Sequence, residues 1–175
     1  MKETGKIYLI PVPIDDAGLE TIPKSTLEIL FQLSHFVVER SKTARKFIKL
    51  LGHPLPQSEL RVTEIPKHGK IDFEEVLDMV KAGHDIGIMS ESGCPGIADP
   101  GAEIASWAHL KDIQVVPMVG PSSLLLALMA SGFSGQSFVF HGYLPADKEE
   151  LVKKLRLLEV HANKLGQTQI FIETP

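Results

Sequence analysis

The chain has 175 residues, of which 43% are hydrophobic and 23% charged, with a formal net charge of −4 and one cysteine. This hydrophobic fraction supports a packed core, and no apolar run approaches the roughly 20 residues that cross a bilayer, so a disordered chain and a membrane-spanning helix are excluded. One cysteine excludes an internal disulfide and a cysteine-based zinc site, and it favours a reducing compartment, so we expect a cytoplasmic protein without a membrane partner.

Short β-branched segments alternate with segments of helical periodicity through most of the chain. Strands are predicted over residues 6–12, 36–38, 62–65, 85–89 and 113–116. Helices are predicted over residues 24–33, from Ser41 to Gly52, from Asp72 to Gly83, and over 102–110. Strands separated by helices predict an α/β fold with a parallel sheet that is covered on both faces.

Two of the predicted helices carry a start signal. Ser41 is expected to cap the first, and Asp72 with Glu75 has the spacing of a capping box at the start of the second. The positions that we expect to be buried follow at helical spacing: Ala44, Phe47, Ile48 and Leu51 in the first helix, and Val76, Met79 and Val80 in the second.

A second α/β domain is predicted to begin at residue 119, after an N-terminal domain over residues 1–118. Its elements are a helix over 122–130, a strand over 137–140, a helix over 147–165 and a strand over 168–172. Four elements are few for a domain, and the sequence stops directly after a strand. We therefore expect this second domain to be incomplete in the present chain.

Several common signatures of enzymes are absent from the sequence. No Gly-x-Gly-x-x-Gly follows the first strand, and no Gly-x-x-x-x-Gly-Lys-Ser/Thr occurs. The seven histidines are scattered without the spacing of metal ligands. A nicotinamide-dependent dehydrogenase, a P-loop enzyme and a zinc enzyme are thus disfavoured, and we expect no metal site.

The most informative segment is the loop over residues 90–101, which reads Ser-Glu-Ser-Gly-Cys-Pro-Gly-Ile-Ala-Asp-Pro-Gly. It leaves a predicted strand and enters a helix, and ligands of open α/β sheets bind at that end of the strands. Glycines allow the backbone to approach a ligand, and prolines keep the loop stiff. The alternative is a structural turn in which Asp99 caps the following helix. Cys94 is a poor candidate nucleophile, because no histidine stands at a motif that would activate it.

Two further turns lie at strand ends. Pro11 and Pro13 stiffen the first, which continues into Asp15 and Asp16. The second, Gly120-Pro121-Ser122-Ser123, opens an apolar helix and offers N–H groups and hydroxyls for a carboxylate or a ribose, or simply an N-cap at a domain junction.

A basic stretch follows the second predicted strand. It places five cations within ten residues, namely Arg40, Lys42, Arg45, Lys46 and Lys49. Such a stretch is either a solvated helix face or a patch that contacts nucleic-acid phosphates. A local patch matters here because the net charge gives no overall attraction to nucleic acid.

Taken in order, these segments resemble the tetrapyrrole methylase superfamily of S-adenosylmethionine-dependent methyltransferases. They are most similar to the branch that methylates the ribose 2′-hydroxyl of a cytidine in small-subunit ribosomal RNA. The matching segments are Pro11-Val12-Pro13-Ile14, Glu39, residues 90–101, Gly120-Pro121-Ser122, Gly142-Tyr143-Leu144-Pro145 and Phe171-Ile172-Glu173-Thr174-Pro175.

The resemblance implies two α/β domains with S-adenosylmethionine bound in the cleft between them, S-adenosylhomocysteine as product, ribosomal RNA as substrate, and a homodimer. By position, it assigns donor contacts to Ile14, Ser92, Gly93, Cys94, Ile97, Ser122, Ser123 and Glu173. Because a ribose hydroxyl must lose its proton, Glu39 is the candidate base. The alternative for Glu39 is a strand-end carboxylate that pairs with Arg40 or Lys42.

The sequence departs from this branch in the region expected to face the acceptor. Asp15 and Asp16 stand where the branch has Gly-Asn, and Arg40 stands where it has a second carboxylate. Porphyrin-type relatives instead carry Gly-Asp-Pro where this chain has Gly-Cys-Pro. Two alternatives to an RNA methyltransferase therefore stay open: a tetrapyrrole C-methyltransferase, and a donor-binding relative without catalysis.

Overall fold

The computed structural model describes residues 4–15, 18–66, 71–99 and 101–173. Asp16, Pro100, Thr174 and Pro175, which the sequence analysis named, lie outside these ranges. The chain divides into two compact units, Met1–Ser122 and Ser123–Pro175. We call them the N-terminal and C-terminal units; their assignment as separate domains stays a prediction.

The N-terminal unit is built on a five-stranded parallel sheet. In the order β3-β2-β4-β1-β5, its strands are Arg61–Glu64, His35–Val38, Ile86–Met89, Ile7–Leu9 and Val115–Pro117. The helices are α1 (Lys24–Leu30), α2 (Ser41–Leu50), α3 (Phe73–Lys81) and α4 (Gly101–Leu110). The predicted α/β fold with a parallel sheet is confirmed.

Side chains alternate between the two faces of the sheet and build a core on each. Along β2, Phe36 belongs to one buried cluster and Val37 to the other. The first cluster contains residues of α1 and α2, and the second contains residues of α3 and α4. Strand β4 is buried along its whole length, as expected for a central strand covered on both sides.

The predicted Asp72 cap of α3 is present, but Glu75, the other member of the predicted capping box, accepts a hydrogen bond from the Arg61 guanidinium at 2.8 Å instead. Asp72 Oδ1 accepts hydrogen bonds from the N–H groups of Glu74 and Glu75, at 3.1 and 3.2 Å. The predicted Ser41 cap is wrong: Ser41 is the first helical residue, and its N–H donates to the Glu64 carboxylate at 2.7 Å. The carboxylate at the end of β3 supplies the acceptor that a capping side chain would otherwise provide.

The predicted buried positions of these helices are mostly correct. Ala44, Phe47 and Ile48 are buried in α2, as are Val76, Met79 and Val80 in α3. Leu51 lies just beyond α2 and is partly buried. Strand β5 begins at Val115 rather than Ile113 because Asp112 has a left-handed backbone (φ 56°) and the Ile113 N–H still bonds to Ala108 of α4.

The C-terminal unit contains α5 (Ser123–Ser131), β6 (Phe138–Tyr143), α6 (Lys148–Leu165) and β7 (Thr168–Ile172). Strands β6 and β7 pair in parallel, and α6 connects them, with Asp147 as its N-cap and Gly166 (φ 60°) at its C-terminus. Within the described ranges, none of the helices combines the length and apolar character needed to cross a membrane.

Two histidines stack at the starting ends of β2 and β4. The rings of His35 and His84 lie 4.2 Å apart between centroids, and Arg61 and Glu75 line the same small depression. Burial, the His84 ring and the Arg61 guanidinium all lower the pKa of His35 below 6.5. The fold therefore favours the neutral form of this imidazole.

We predict that His35 weakens the fold at acid pH. Because its pKa is lowered in the folded state, its contribution to the free energy of unfolding is complete above pH 6.5 and decreases as the pH falls below that value. His35→Gln should therefore have a shallower stability profile than the unmodified chain between pH 7 and 5. Urea unfolding at several pH values measures this, with exposed His109→Gln as control; identical profiles for His35→Gln and the unmodified chain would contradict it.

Candidate functional site

Three loops meet where β1, β4 and β5 end, and we call this region the carboxyl edge. Val12 and Gly93 exchange two backbone hydrogen bonds, of 2.9 and 3.1 Å, which join the loop after β1 to the loop after β4. The Cys94 thiol donates to the Pro121 carbonyl at 3.3 Å, which joins the loop after β4 to the loop after β5. The three motifs that the sequence singled out are thus neighbours in space.

The loop after β4 depends on backbone conformations that most residues avoid. Gly93 (φ 71°), Gly96 (φ 87°) and Ala98 (φ 62°) are all left-handed. Asp99 Oδ1 accepts hydrogen bonds from the N–H groups of Gly96 and Gly101, both at 2.7 Å, and so ties the loop to the first residue of α4. The capping role that the sequence offered as an alternative is therefore present, within a loop that still faces the carboxyl edge.

The carboxylate of Asp99 is partly desolvated. Its second oxygen, Oδ2, is buried and meets no donor among the described residues within hydrogen-bond geometry; the neighbouring Ser90 hydroxyl donates to the Ser92 carbonyl at 3.3 Å. Burial raises the pKa of Asp99, and the N–H groups of Gly96 and Gly101 and the nearby Ser90 hydroxyl reduce this rise. The loop is thus held by a carboxylate whose charged form carries a desolvation cost that its hydrogen bonds partly offset.

Cys94 serves the structure of the edge. Its side chain is half-buried against the carbonyls of Gly120 and Pro121. Burial, and then the charge of Asp99, raise the pKa of the thiol. A raised pKa keeps the sulfur protonated and weakly nucleophilic, so the geometry does not favour covalent catalysis by Cys94.

Most of the predicted donor contacts lie on the carboxyl edge. The Ser92 hydroxyl donates to the Ile14 carbonyl at 3.4 Å, and the Ile97 N–H donates to the Cys94 carbonyl at 3.3 Å. The side chains of Ile14 and Ile97 are 37% and 52% exposed, so both present apolar surface to solvent. Ser122 follows Pro121 directly.

The other two predicted donor contacts belong to the C-terminal unit. Ser123 is the first residue of α5. Glu173 follows β7, and its Oε1 accepts a hydrogen bond from the Leu144 N–H at 3.2 Å. That contact joins two of the segments on which the resemblance rests.

Glu39, the candidate base, directly follows β2. It is half-buried, and its Oε2 accepts a hydrogen bond from the Glu91 N–H at 3.1 Å. Arg40, which the sequence offered as a partner for Glu39, lies 3.3 Å from the Glu91 carboxylate. Glu39 is therefore fixed against the first residues of the loop after β4.

A pocket that sequence reasoning missed lies beside Glu91. It has a volume of about 100 Å³, opens to solvent, and is lined by the loops after β1 and β4 and by one side of α2. We call it the α2 pocket. Leu19, Thr43 and Leu50 contribute to its walls. The one signal available in the sequence was Leu50, an apolar residue at the end of a basic helix. In the structure, the Leu50 side chain is 55% exposed.

The five cations of the basic stretch divide into three sets in the structure, of which the first is Arg40 in its ion pair with Glu91. Arg45 is part of the scaffold, because its guanidinium donates to the carbonyls of Gln57 and Leu60 at 2.9 and 3.3 Å. Lys42, Lys46 and Lys49 are exposed on α2, and their spacing places them along one side of the helix. We call these three residues the lysine stripe. The five-cation patch is therefore a smaller surface than the sequence indicated.

No protein-family model matches the chain. Comparison with known proteins nevertheless finds several relatives that carry the same name. Ribosomal RNA small subunit methyltransferase I of Vibrio cholerae is 32% identical over 97% of this chain and 55% of its own length. Its Bacillus subtilis counterpart is 31% identical over 99% of this chain and 56% of its own length. The Thermotoga maritima counterpart is 30% identical over 98% of this chain and 72% of its own length. The chain thus spans about half the length of the first two relatives.

A parallel sheet with stiff loops gathered at its carboxyl edge is the arrangement in which open α/β proteins bind ligands at their strand ends. With these relatives, the chain belongs to the ribosomal RNA small subunit methyltransferase I family, within the tetrapyrrole methylase superfamily. The family resemblance drawn from the sequence is confirmed. The names of the relatives favour the RNA branch over the tetrapyrrole alternative.

We predict that Asp99 holds the loop mainly through its acceptor oxygen. Asp99→Ala removes both hydrogen bonds to the loop and should lower the free energy of unfolding by about 2 kcal/mol. Asp99→Asn keeps an acceptor in place and should cost clearly less. Urea unfolding near neutral pH measures both variants, with exposed Glu59→Ala as control; equal losses for the alanine and asparagine variants would contradict this role.

Proposed function

We propose that this chain is an S-adenosylmethionine-dependent methyltransferase that methylates a ribose 2′-hydroxyl of small-subunit ribosomal RNA. The observation that carries the proposal is the similarity of nearly the whole chain, at 30–32% identity, to relatives named for that class of enzyme. The gathering of the three loops at the carboxyl edge supports it independently. The expected homodimer and cytoplasmic location belong to the same proposal, and analytical sedimentation tests the dimer.

The residues of the carboxyl edge suit the donor. Exposed Ile14 and Ile97 offer apolar surface for an adenine ring, and Ser92 and Ser122 offer hydroxyls for its polar groups. Gly93 is buried and has a left-handed backbone, so a side chain at this position would strain the backbone of the loop even though its Cβ would have room beside the Pro121 carbonyl, 3.6 Å away. Cys94 completes the donor contacts assigned in the N-terminal unit, while Ser123 and Glu173 are assigned through the resemblance alone.

When bound, the donor supplies a methyl group on a positively charged sulfur, and the protein chiefly aligns it.

Glu39 is the proposed base. The acceptor oxygen forms a bond to the methyl carbon, the carbon–sulfur bond breaks, and the hydroxyl proton passes to the carboxylate, leaving S-adenosylhomocysteine and a 2′-O-methyl ribose. The hydrogen bond from the Glu91 N–H orients the carboxylate at the end of β2. It therefore offers a fixed proton acceptor beside the loop that is proposed to bind the donor.

One alternative function has a specific observation in its favour. Arg40 replaces the second carboxylate expected from the RNA branch, and it pairs with Glu91 next to Glu39. A changed acceptor region would suit a relative that binds the donor without transferring the methyl group. Such a protein would bind S-adenosylhomocysteine and leave every RNA unmethylated.

Calorimetric titration of S-adenosylhomocysteine into the chain, followed by a labelled-methyl assay, tests the proposal. The assay uses small ribosomal subunits purified from cells that lack this methylation. We expect micromolar binding and label recovered in the RNA. Binding without transfer favours the donor-binding relative, and an absence of both contradicts the proposal.

We predict that Glu39→Gln separates donor binding from turnover. Glutamine keeps an oxygen that can accept the Glu91 N–H but is a far weaker base. Turnover should fall by a factor of about 10² to 10⁴, with unchanged affinity for S-adenosylhomocysteine. Initial rates and calorimetry measure the two quantities.

The matched control is Glu28→Gln, which removes an exposed carboxylate of α1 from its ion pair with Lys24. It should leave both rate and affinity unchanged. Full turnover by Glu39→Gln would remove this carboxylate from the mechanism.

A further inference from the structure

We propose that the α2 pocket receives the base of an unpaired RNA nucleotide while the lysine stripe binds the phosphates beside it. This inference rests on the proposed function and assigns the base of the acceptor to a pocket that neither the sequence motifs nor the comparisons identify. Three features of the molecule support it: the position of the pocket, the chemistry of its walls and the charge along its border.

The position of the pocket suits an acceptor. Glu91 lines it, and the Glu91 N–H donates to the Glu39 carboxylate. Ile14 also lines it, and the Ile14 carbonyl accepts a hydrogen bond from Ser92, which belongs to the proposed donor loop. A nucleotide held in this pocket would therefore lie next to both the candidate base and the donor loop.

The walls of the pocket suit a flat base with polar edges. Leu19, Phe47 and Leu50 supply apolar surface, and Thr43 and Ser90 supply hydroxyls. Proteins that read single-stranded RNA place unstacked bases against apolar or aromatic surface and bind their edges through polar groups.

The charges at the pocket orient such a nucleotide. Asp15 and Glu91 bring carboxylates to its lining, whereas the lysine stripe runs along the exposed side of α2. Lys46 belongs both to the stripe and to the pocket wall. The lysine stripe therefore attracts phosphates to the helix, and the apolar and hydroxyl-bearing walls of the pocket are left for the base.

The test measures the binding of a labelled single-stranded RNA of about ten nucleotides to the full chain by fluorescence anisotropy at several salt concentrations. The probe is a run of uridines with one central cytidine, and its partner probe carries an abasic ribose at that position. Each protein preparation is also titrated with S-adenosylhomocysteine, so that RNA binding and donor binding are judged separately.

Two variants separate the base pocket from the phosphate surface. Leu50→Ala should weaken binding of the cytidine probe roughly tenfold without changing its salt dependence, and should bind the two probes equally. Lys46→Ala should reduce the slope of log affinity against log salt by about one, for both probes. Leu110→Ala on α4 and Lys81→Ala on α3 are matched controls for exposed leucine and lysine side chains, and thermal melting confirms that every variant is folded.

The unmodified chain should bind the cytidine probe more tightly than the abasic probe. Equal binding of the two probes, or a Leu50→Ala variant that still distinguishes them, would overturn the base pocket even where donor binding and methyl transfer are intact. Polyglutamate that displaces the probe as effectively as unlabelled RNA would also overturn the base pocket, because the surface would then bind acidic chains in general. A chain that fails to bind S-adenosylhomocysteine would instead contradict the proposed function.

Discussion

The position of β1 between β4 and β5 is the constraint on which the rest of the site depends. Because all these strands run in parallel, the loops that follow them leave the sheet at one edge. The paired hydrogen bonds between Val12 and Gly93 then fasten two of those loops together, and the Cys94 thiol attaches the third. Segments that are far apart in the sequence thus reach one place with little freedom left to lose when a ligand binds.

Rigidity at this edge has a cost in stability. The loop after β4 contains three left-handed residues, and it is held by a carboxylate with one buried oxygen that has no partner among the described residues. Replacing Asp99 by an apolar residue would relieve its desolvation but leave two N–H groups of the loop without an acceptor. Prolines and small residues complete the loop without adding side-chain bulk. This is the pattern expected where a fold gives up stability to hold a binding loop in one conformation.

The sequence predicted the features that depend on local patterns. It failed where contacts between residues far apart in the chain determine the structure. β-Branched runs located the strands, and helical spacing located the buried faces of α2 and α3. The Ser41 cap was wrong because Glu64, from another strand, already binds that N–H. Arg45 looked like part of a phosphate surface because its contacts with Gln57 and Leu60 lie in a following loop. The α2 pocket could not be predicted, since its walls come from three separate segments.

The proposed acceptor and donor surfaces share the loop after β4. This loop therefore connects the positions that differ from the RNA branch with the proposed site of methyl transfer. Arg40 and Asp15 differ from the RNA branch, and both lie near Glu91, while the donor loop keeps the residues that the resemblance assigns to it. The central claim is therefore that the carboxyl edge binds the methyl donor. Hydrogen–deuterium exchange with and without S-adenosylhomocysteine tests it most directly. We expect slower exchange over residues 90–99 and 118–122, with α1 and α3 unchanged. Unchanged exchange over residues 90–99 and 118–122 at saturating S-adenosylhomocysteine would contradict the account.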